Sequence, residues 1–139
     1  MKIAIIAVGK LKRGGLRAEL DDYLGRIRHF LPLEIADVKE AKLPASLDSS
    51  DRVVVLDPQG KPWTSDQLAQ FIRQHMTSDP RRLTFVIGDY AGLPPEVKKR
   101  ADVQWSLSPL TFTHDLTRVL LLEQIYRALS IIHNFPYSK

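Results

Sequence analysis

Short, nearly unbroken apolar runs alternate along this chain with longer segments in which apolar residues recur every three or four positions. The short runs are residues 2–8, 33–38, 52–56, 83–87 and 103–107. Each is rich in β-branched residues and bounded by turn formers such as Gly9, Pro32, Asp57-Pro58 and Gly88, so each predicts a strand. Leu16, Leu20, Tyr23, Leu24 and Ile27 stand at helical spacing and predict a helix over 16–28. Thr64 with Gln67 three residues on forms a capping box, which starts a helix running to about residue 76. Pro94 or Pro95 opens a short helix to about residue 100, since proline suits the first helical turn. Residues 40–50 read as a polar connection holding Pro44, and Asp57-Pro58-Gln59-Gly60 reads as a turn in which Gly60 permits a positive φ. Strands that are apolar on both faces, separated by helices, imply a mostly parallel sheet of five or six strands with helices on both faces. The reading is one α/β domain over residues 1–139.

The last third departs from this regular pattern. Residues 108–113 (Ser108, Pro109, Leu110, Thr111, Phe112, Thr113) form a largely apolar loop without glycine, although loops ordinarily run over wet surface. They lead into a long helix, residues 116–132, that is apolar on nearly every side. A helix needs one apolar stripe to join a core. One with several has a second surface to bury, which predicts a homodimer through this helix.

Composition narrows the chemistry. With no cysteine among 139 residues, disulfides, thiolate metal sites and a cysteine nucleophile are excluded, and a reducing cytoplasm is the expected setting. His29, His75, His114 and His133 have no metal-ligand spacing to one another, so no metal is expected. The first residues read as a strand rather than a secretory signal, and Arg118, Glu123 and Arg127 interrupt the longest apolar region, so no membrane span is expected. The net charge of +4 fits a polyanion as partner without requiring one. Basic residues cluster at Lys10, Lys12, Arg13 and Arg17, at Arg81 and Arg82, and at Lys98, Lys99 and Arg100. Solvated faces would explain them, and so would RNA phosphates if they converge.

Ligands of open α/β sheets sit at the carboxyl ends of the strands. Three segments qualify: Leu56 to Gly60, Ile87 to Gly92, and the loop after Leu107. None matches a phosphate-binding motif, so a nucleoside with little or no phosphate fits better than a nucleotide. Ordinary strand-to-helix turns are the competing explanation for each. In the last helix His114 reads as a flanking residue, His133 as a C-terminal cation, and Glu123 with Arg127 as an i, i+4 pair. Arg118 has no obvious partner in sequence, so it either has a task or forms an ion pair between subunits.

Taken in order, several short segments resemble the RlmH family, ribosomal large-subunit methyltransferases of the SPOUT superfamily. They are Ala7-Val8-Gly9-Lys10-Leu11-Lys12, Leu56-Asp57 followed by Gly60-Lys61, Phe85-Val86-Ile87-Gly88, Leu110-Thr111-Phe112-Thr113-His114, Arg118-Val119-Leu120, Glu123-Gln124-Ile125-Tyr126-Arg127-Ala128 and Pro136-Tyr137. The resemblance implies a C-terminal trefoil knot, a homodimer, and S-adenosylmethionine held by Leu56, Gly88, Leu107, Ser108, Pro109, Leu110, Thr111 and Phe112. It implies methylation of a pseudouridine N3 in 23S rRNA of the assembled ribosome, with Tyr137 and Arg118 as the catalytic candidates. An aromatic anchor for the tail is an equally good role for Tyr137. Three features depart from the family pattern. Residues 40–50 are too short for its Lys- and Glu-rich helix, Asp89 replaces a glycine, and Ser138 replaces a histidine after Tyr137. Asp89 and Ser138 favour a rival class: an RNA- or ribosome-binding relative that keeps the fold but has lost turnover.

Overall fold

All five strands form where the apolar runs predict them. They are β1 (Ile3–Val8), β2 (Leu33–Val38), β3 (Arg52–Lys61), β4 (Leu83–Ile87) and β5 (Val103–Trp105). In this computed structural model, which describes residues 1–12, 14–89 and 91–137, they make one sheet in the order β2-β1-β4-β3-β5. All neighbouring strands are parallel. The crossovers carry α1 (Arg17–Arg28), α2 (Leu43–Ser46), α3 (Ser65–Ser78) and α4 (Pro95–Arg100), and α5 (His114–Ile132) follows β5.

Successive strand residues face opposite sides of the sheet, and that alternation sorts the core into two layers. Ile3, Ile5, Val54, Leu83 and Phe85 pack under α1, α3 and α5, against Leu20, Ile27, Leu68, Ile72, Leu121 and Ile125. Ile6, Val8, Val53, Val55 and Val86 pack on the other face against Leu43, Leu93 and Val97. The two faces carry unequal helices: three long ones on the first, the short α2 and α4 on the second.

Four local expectations change. β3 does not stop at Leu56: the chain stays extended through the expected turn, and Lys61 pairs again with Trp105 after an irregularity. Gly60 therefore serves close approach rather than a positive φ. A Cβ there would lie 2.6 Å from the backbone carbonyl of Gln104, so any side chain would push β3 off β5. β5 is two residues shorter than its apolar run. Residues 40–50 are more than a plain connection: a 3-10 turn, Glu40–Lys42, leads into α2, pinned by the fully buried Leu43.

The apolar breadth of α5 also has an explanation within one chain. α1 lies along one flank, α3 along the other, and the sheet beneath. Leu121, Leu122, Ile125, Ala128 and Leu129 are all completely buried by these neighbours. Three covered sides require apolar residues on three sides, so the pattern does not by itself call for a second subunit. What stays exposed is Leu116 and Ile131 on the helix and Phe135 just beyond it.

Candidate functional site

β4, β3 and β5 are consecutive in the sheet, so their carboxyl ends open side by side. The three segments picked out in the sequence therefore meet. They enclose a cavity of about 280 Å³, close to the ~300 Å³ at which small-molecule sites begin. Leu56, Asp57 and Pro58 of β3 form one wall, and Ile87, Gly88, Asp89, Gly92 and Leu93 form the second. Leu107, Ser108, Leu110, Thr111, Phe112 and Thr113 form the third, with His114 and Thr117 of α5 completing it. Of the residues expected to hold a cofactor, all but Pro109 line this space; Pro109 is exposed and turned out of the wall.

The second wall is a tight turn. The Gly92 N–H donates to the Asp89 carbonyl at 2.9 Å, and Asp89 Oδ1 accepts from the Ala91 N–H at 2.9 Å. Gly92 sits at φ +87, where a side chain is strained. A Cβ on Gly88 would meet the Gly92 carbonyl oxygen and the Leu93 side chain at 2.9 Å. Gly88 is thus required by the turn's own packing.

Two side chains of the walls carry further information. Asp57 is almost buried: it accepts from the Gln59 N–H at 3.0 Å and from Lys98 Nζ at 3.2 Å. The Gln59 N–H chiefly, with help from Lys98, holds its carboxyl below the usual carboxylate range against the opposing effect of burial. His114 Nε2 is buried with no hydrogen-bond partner among the described residues. Burial first, and then the Arg118 guanidinium, push its imidazole below the ordinary value, so it is neutral at pH 7. In the sequence His114 stands as a residue flanking the helix, and Asp57 and Thr113 only as members of strand-end segments; Leu93 and Thr117 carry no signal there. Asp57 had a signal, being a carboxylate at the carboxyl end of a buried strand.

Arg118 has its partners within the chain. Its Nη1 donates to Asp37 Oδ1 at 2.6 Å and its Nη2 to the Gly9 carbonyl at 2.7 Å. It does not line the cavity. It ties the first turns of α5 to the carboxyl ends of β1 and β2, and Asp115 does the same for the following loop by accepting the Lys12 N–H at 3.1 Å on both oxygens. Lys10, Lys12 and Arg17 are exposed around that loop, on the same edge as the cavity. Arg81 and Arg82 lie at the opposite edge, paired with Asp79 and Asp51; Arg100 also binds Asp51 there, through its carbonyl, whereas Lys98 reaches Asp57 of the cavity wall, so the three clusters do not form one basic patch at the cavity.

Tyr137 lies away from the cavity, beside the later turns of α5. Its hydroxyl donates to Glu123 Oε2 at 2.9 Å and is 3.2 Å from the Tyr23 hydroxyl, and the Arg127 guanidinium covers its ring at 4.7 Å. Glu123 and Arg127 form the expected pair at 2.8 Å. Burial first, then Tyr23 and Glu123, raise the phenol well above its ordinary value. Ser138 and Arg13 fall outside the described residues. No metal-binding cluster and no helix long and apolar enough to cross a membrane is found among the described residues.

The family model described as "Predicted SPOUT methyltransferase" matches residues 1–138. A protein of Geobacter metallireducens named ribosomal RNA large subunit methyltransferase H is 40% identical over 151 aligned residues, spanning 99% of this chain and 98% of the relative. A protein of the same name from Coprothermobacter proteolyticus is 39% identical, with both chains covered completely. Among solved structures, a probable methylase family protein from Haemophilus influenzae superposes with a TM-score of 0.58 at 11% identity, over 95% of this chain and 66% of that one. That likeness speaks for the fold alone. The family match over residues 1–138, together with similarity of 39% and 40% that covers 99% or more of this chain, shows that it belongs to the SPOUT methyltransferase family.

Proposed function

We propose that this chain transfers a methyl group from S-adenosylmethionine to large-subunit ribosomal RNA, at N3 of a pseudouridine, as a cytoplasmic homodimer. The observation that carries the reading is the meeting of three separate segments around one small, largely apolar cavity at the carboxyl edge of the sheet. The relatives' names supply the acceptor class. The cavity suits the donor in three respects: it has nucleoside size, it has no glycine-rich cradle for a pyrophosphate, and its wall holds an unpaired buried nitrogen on His114.

The donor's part is to present a methyl carbon on a positively charged sulfur. The acceptor nitrogen forms a bond to that carbon as the carbon–sulfur bond breaks, the sulfur keeps the electron pair as a neutral sulfide, and the N3 proton passes to water or a base. The chain's contribution is alignment and the exclusion of water. Leu56, Leu107, Leu110 and Phe112 supply apolar contact to a flat ring, and backbone groups of residues 107–112 supply its polar recognition. Arg118 acts through position: by holding α5 to β1 and β2 it keeps His114 and Thr117 in the wall. Tyr137, with a proton held tightly by Glu123, is a hydrogen-bond donor rather than a base. Because it lies beside the later turns of α5, any part it takes at the acceptor requires the second copy. In our reading the dimer face is the outward side of α5, where Leu116, Leu120 and Ile131 are left by the chain's own core. Exposed Lys10, Lys12 and Arg17 beside the cavity suit RNA phosphates.

The rival reading, a binding protein without turnover, rests among described residues on Asp89, and Asp89 turns one oxygen into its own loop rather than plugging the cavity. The deciding experiment is single-turnover transfer of labelled methyl to vacant ribosomes, followed by mass mapping of the rRNA. One methyl per ribosome on a large-subunit pseudouridine is expected. Binding of the donor at micromolar order, about 8 kcal/mol, with no transfer would hand the case to the rival. Light scattering should give a dimer, and Leu120→Glu a monomer; a monomeric native protein would remove the dimer from the proposal.

A further inference from the structure

We infer that Asp89 makes this cavity select the positively charged sulfonium donor over the neutral sulfide left after transfer. The inference rests on the donor proposed above and adds a specificity residue to it.

Among the described residues of the wall, Asp57 and Asp89 are the charged ones. Their situations differ. Asp57 shares its charge with Lys98 at 3.2 Å and takes the Gln59 N–H. Asp89 takes one backbone N–H, that of Ala91, and no cation pairs with it among the described residues. His114, neutral for the reasons given, adds no positive charge. The wall therefore carries an excess of negative charge next to apolar side chains, where field lines are screened less than in water. Asp89 is half-buried on this wall, so a cationic ligand seated there gains an attraction to its carboxylate that a neutral one does not. Methyl transfer abolishes the positive charge on sulfur. The same wall thus holds the molecule before the reaction and loosens its hold afterwards, which favours exchange of product for fresh donor. The unpaired His114 Nε2 is the independent sign that this wall is built to face a polar ligand.

The test is calorimetry with three probes: S-adenosylmethionine, S-adenosylhomocysteine, and sinefungin, in which an amine places a cation near the same position without a transferable methyl. Asp89→Asn removes the charge but keeps an oxygen to accept the Ala91 N–H, so the turn survives. The wild type should bind both cationic probes more tightly than the sulfide, roughly tenfold, and Asp89→Asn should cut that ratio by roughly three- to fivefold through weaker binding of the cations. Lys98→Gln unmasks Asp57 and should move the ratio in the opposite direction. A ratio equal in wild type and Asp89→Asn would overturn the inference. So would an equal loss for all three probes, which would make Asp89 a turn residue and nothing more. If the wild type binds none of the three, the donor itself is wrong and both readings fall together. Binding of all three without discrimination retires this inference and leaves the donor standing.

Discussion

At the amino edge of the sheet Asp51 is 2% exposed, and every neighbour answers it. Arg82 donates to it from Nε and Nη2, the latter at 2.6 Å, and Thr84 donates at 3.0 Å. Arg100 binds the Asp51 carbonyl, and the fully buried His75 meets the Arg81 carbonyl at 2.7 Å. At the carboxyl edge the same count does not close. His114 Nε2, Ser106 Oγ and Trp105 Nε1 are buried there without partners among the described residues, at the strand ends that carry the cavity and two glycines that tolerate no ordinary side chain. Both edges are built from loops between the same strands, so strand chemistry is not the difference. Buried polar groups that satisfy one another hold a structure together, whereas groups left over are held for something else. The amino edge is where this molecule keeps stability, and the carboxyl edge is where it keeps binding capacity.

Substitutions that separate the two properties test that division. Asp51→Ala should give the largest loss of stability, about 2–3 kcal/mol by urea unfolding. It strands Thr84 and takes the main partner from Arg82, whose remaining ion pair with Glu34 and partial exposure limit the damage. Donor affinity of the folded fraction should not change; a matching loss of affinity would mean the edges are coupled. Gly88→Ala should do the reverse. Its Cβ must displace the Gly92 carbonyl, so S-adenosylmethionine affinity should fall at least tenfold in calorimetry for a stability cost of about 1–2 kcal/mol.

Arg118→Met stands between them, since Arg118 is a buried brace that leads to the cavity. About 1–2 kcal/mol of stability and a several-fold loss of donor affinity are expected together. Loss of stability alone would confine Arg118 to the core. Acid should act on both edges. His75 and His114 both have values below the ordinary 6.5, each with burial as the first cause. The unfolded chain then takes up protons that the folded chain refuses, so stability should fall as pH drops below about 6.5 and be fully present above it. Unfolding curves that superimpose from pH 5 to 7.5 would contradict the burial of both imidazoles. Tyr137→Phe should be the mildest, about 0.5–1 kcal/mol, because Glu123 keeps Arg127 when the phenol is lost.

Most of the architecture was legible along the chain because it rests on local rules. The unbroken apolar runs of β1 and β4, the capping box at Thr64 and the prolines at the start of α4 act within a few residues, and the elements form where those signals stand. Boundaries failed where a distant neighbour decided them. β3 runs on past Leu56 because Gly60 fits against Gln104, more than forty residues later, and α2 forms because Leu43 finds a place in the core. The apolar breadth of α5 was visible too, but not all of what covers it: the sequence shows that several faces must be covered and is silent on whether α1 and α3 or a second molecule will cover each of them.

Residue type and spacing alone settled the class of fold, ruled out cysteine chemistry, and named the segments that carry polar backbone at strand ends. Those are consequences of side-chain volume, period and composition, which need no third dimension. Strand order was needed to make Leu56, Gly88 and the loop before α5 neighbours, to give Arg118 its partners on Gly9 and Asp37, and to carry Tyr137 away from the cavity. Contacts between residues a hundred positions apart depend on how the crossovers lay the strands side by side, and no local pattern encodes that order.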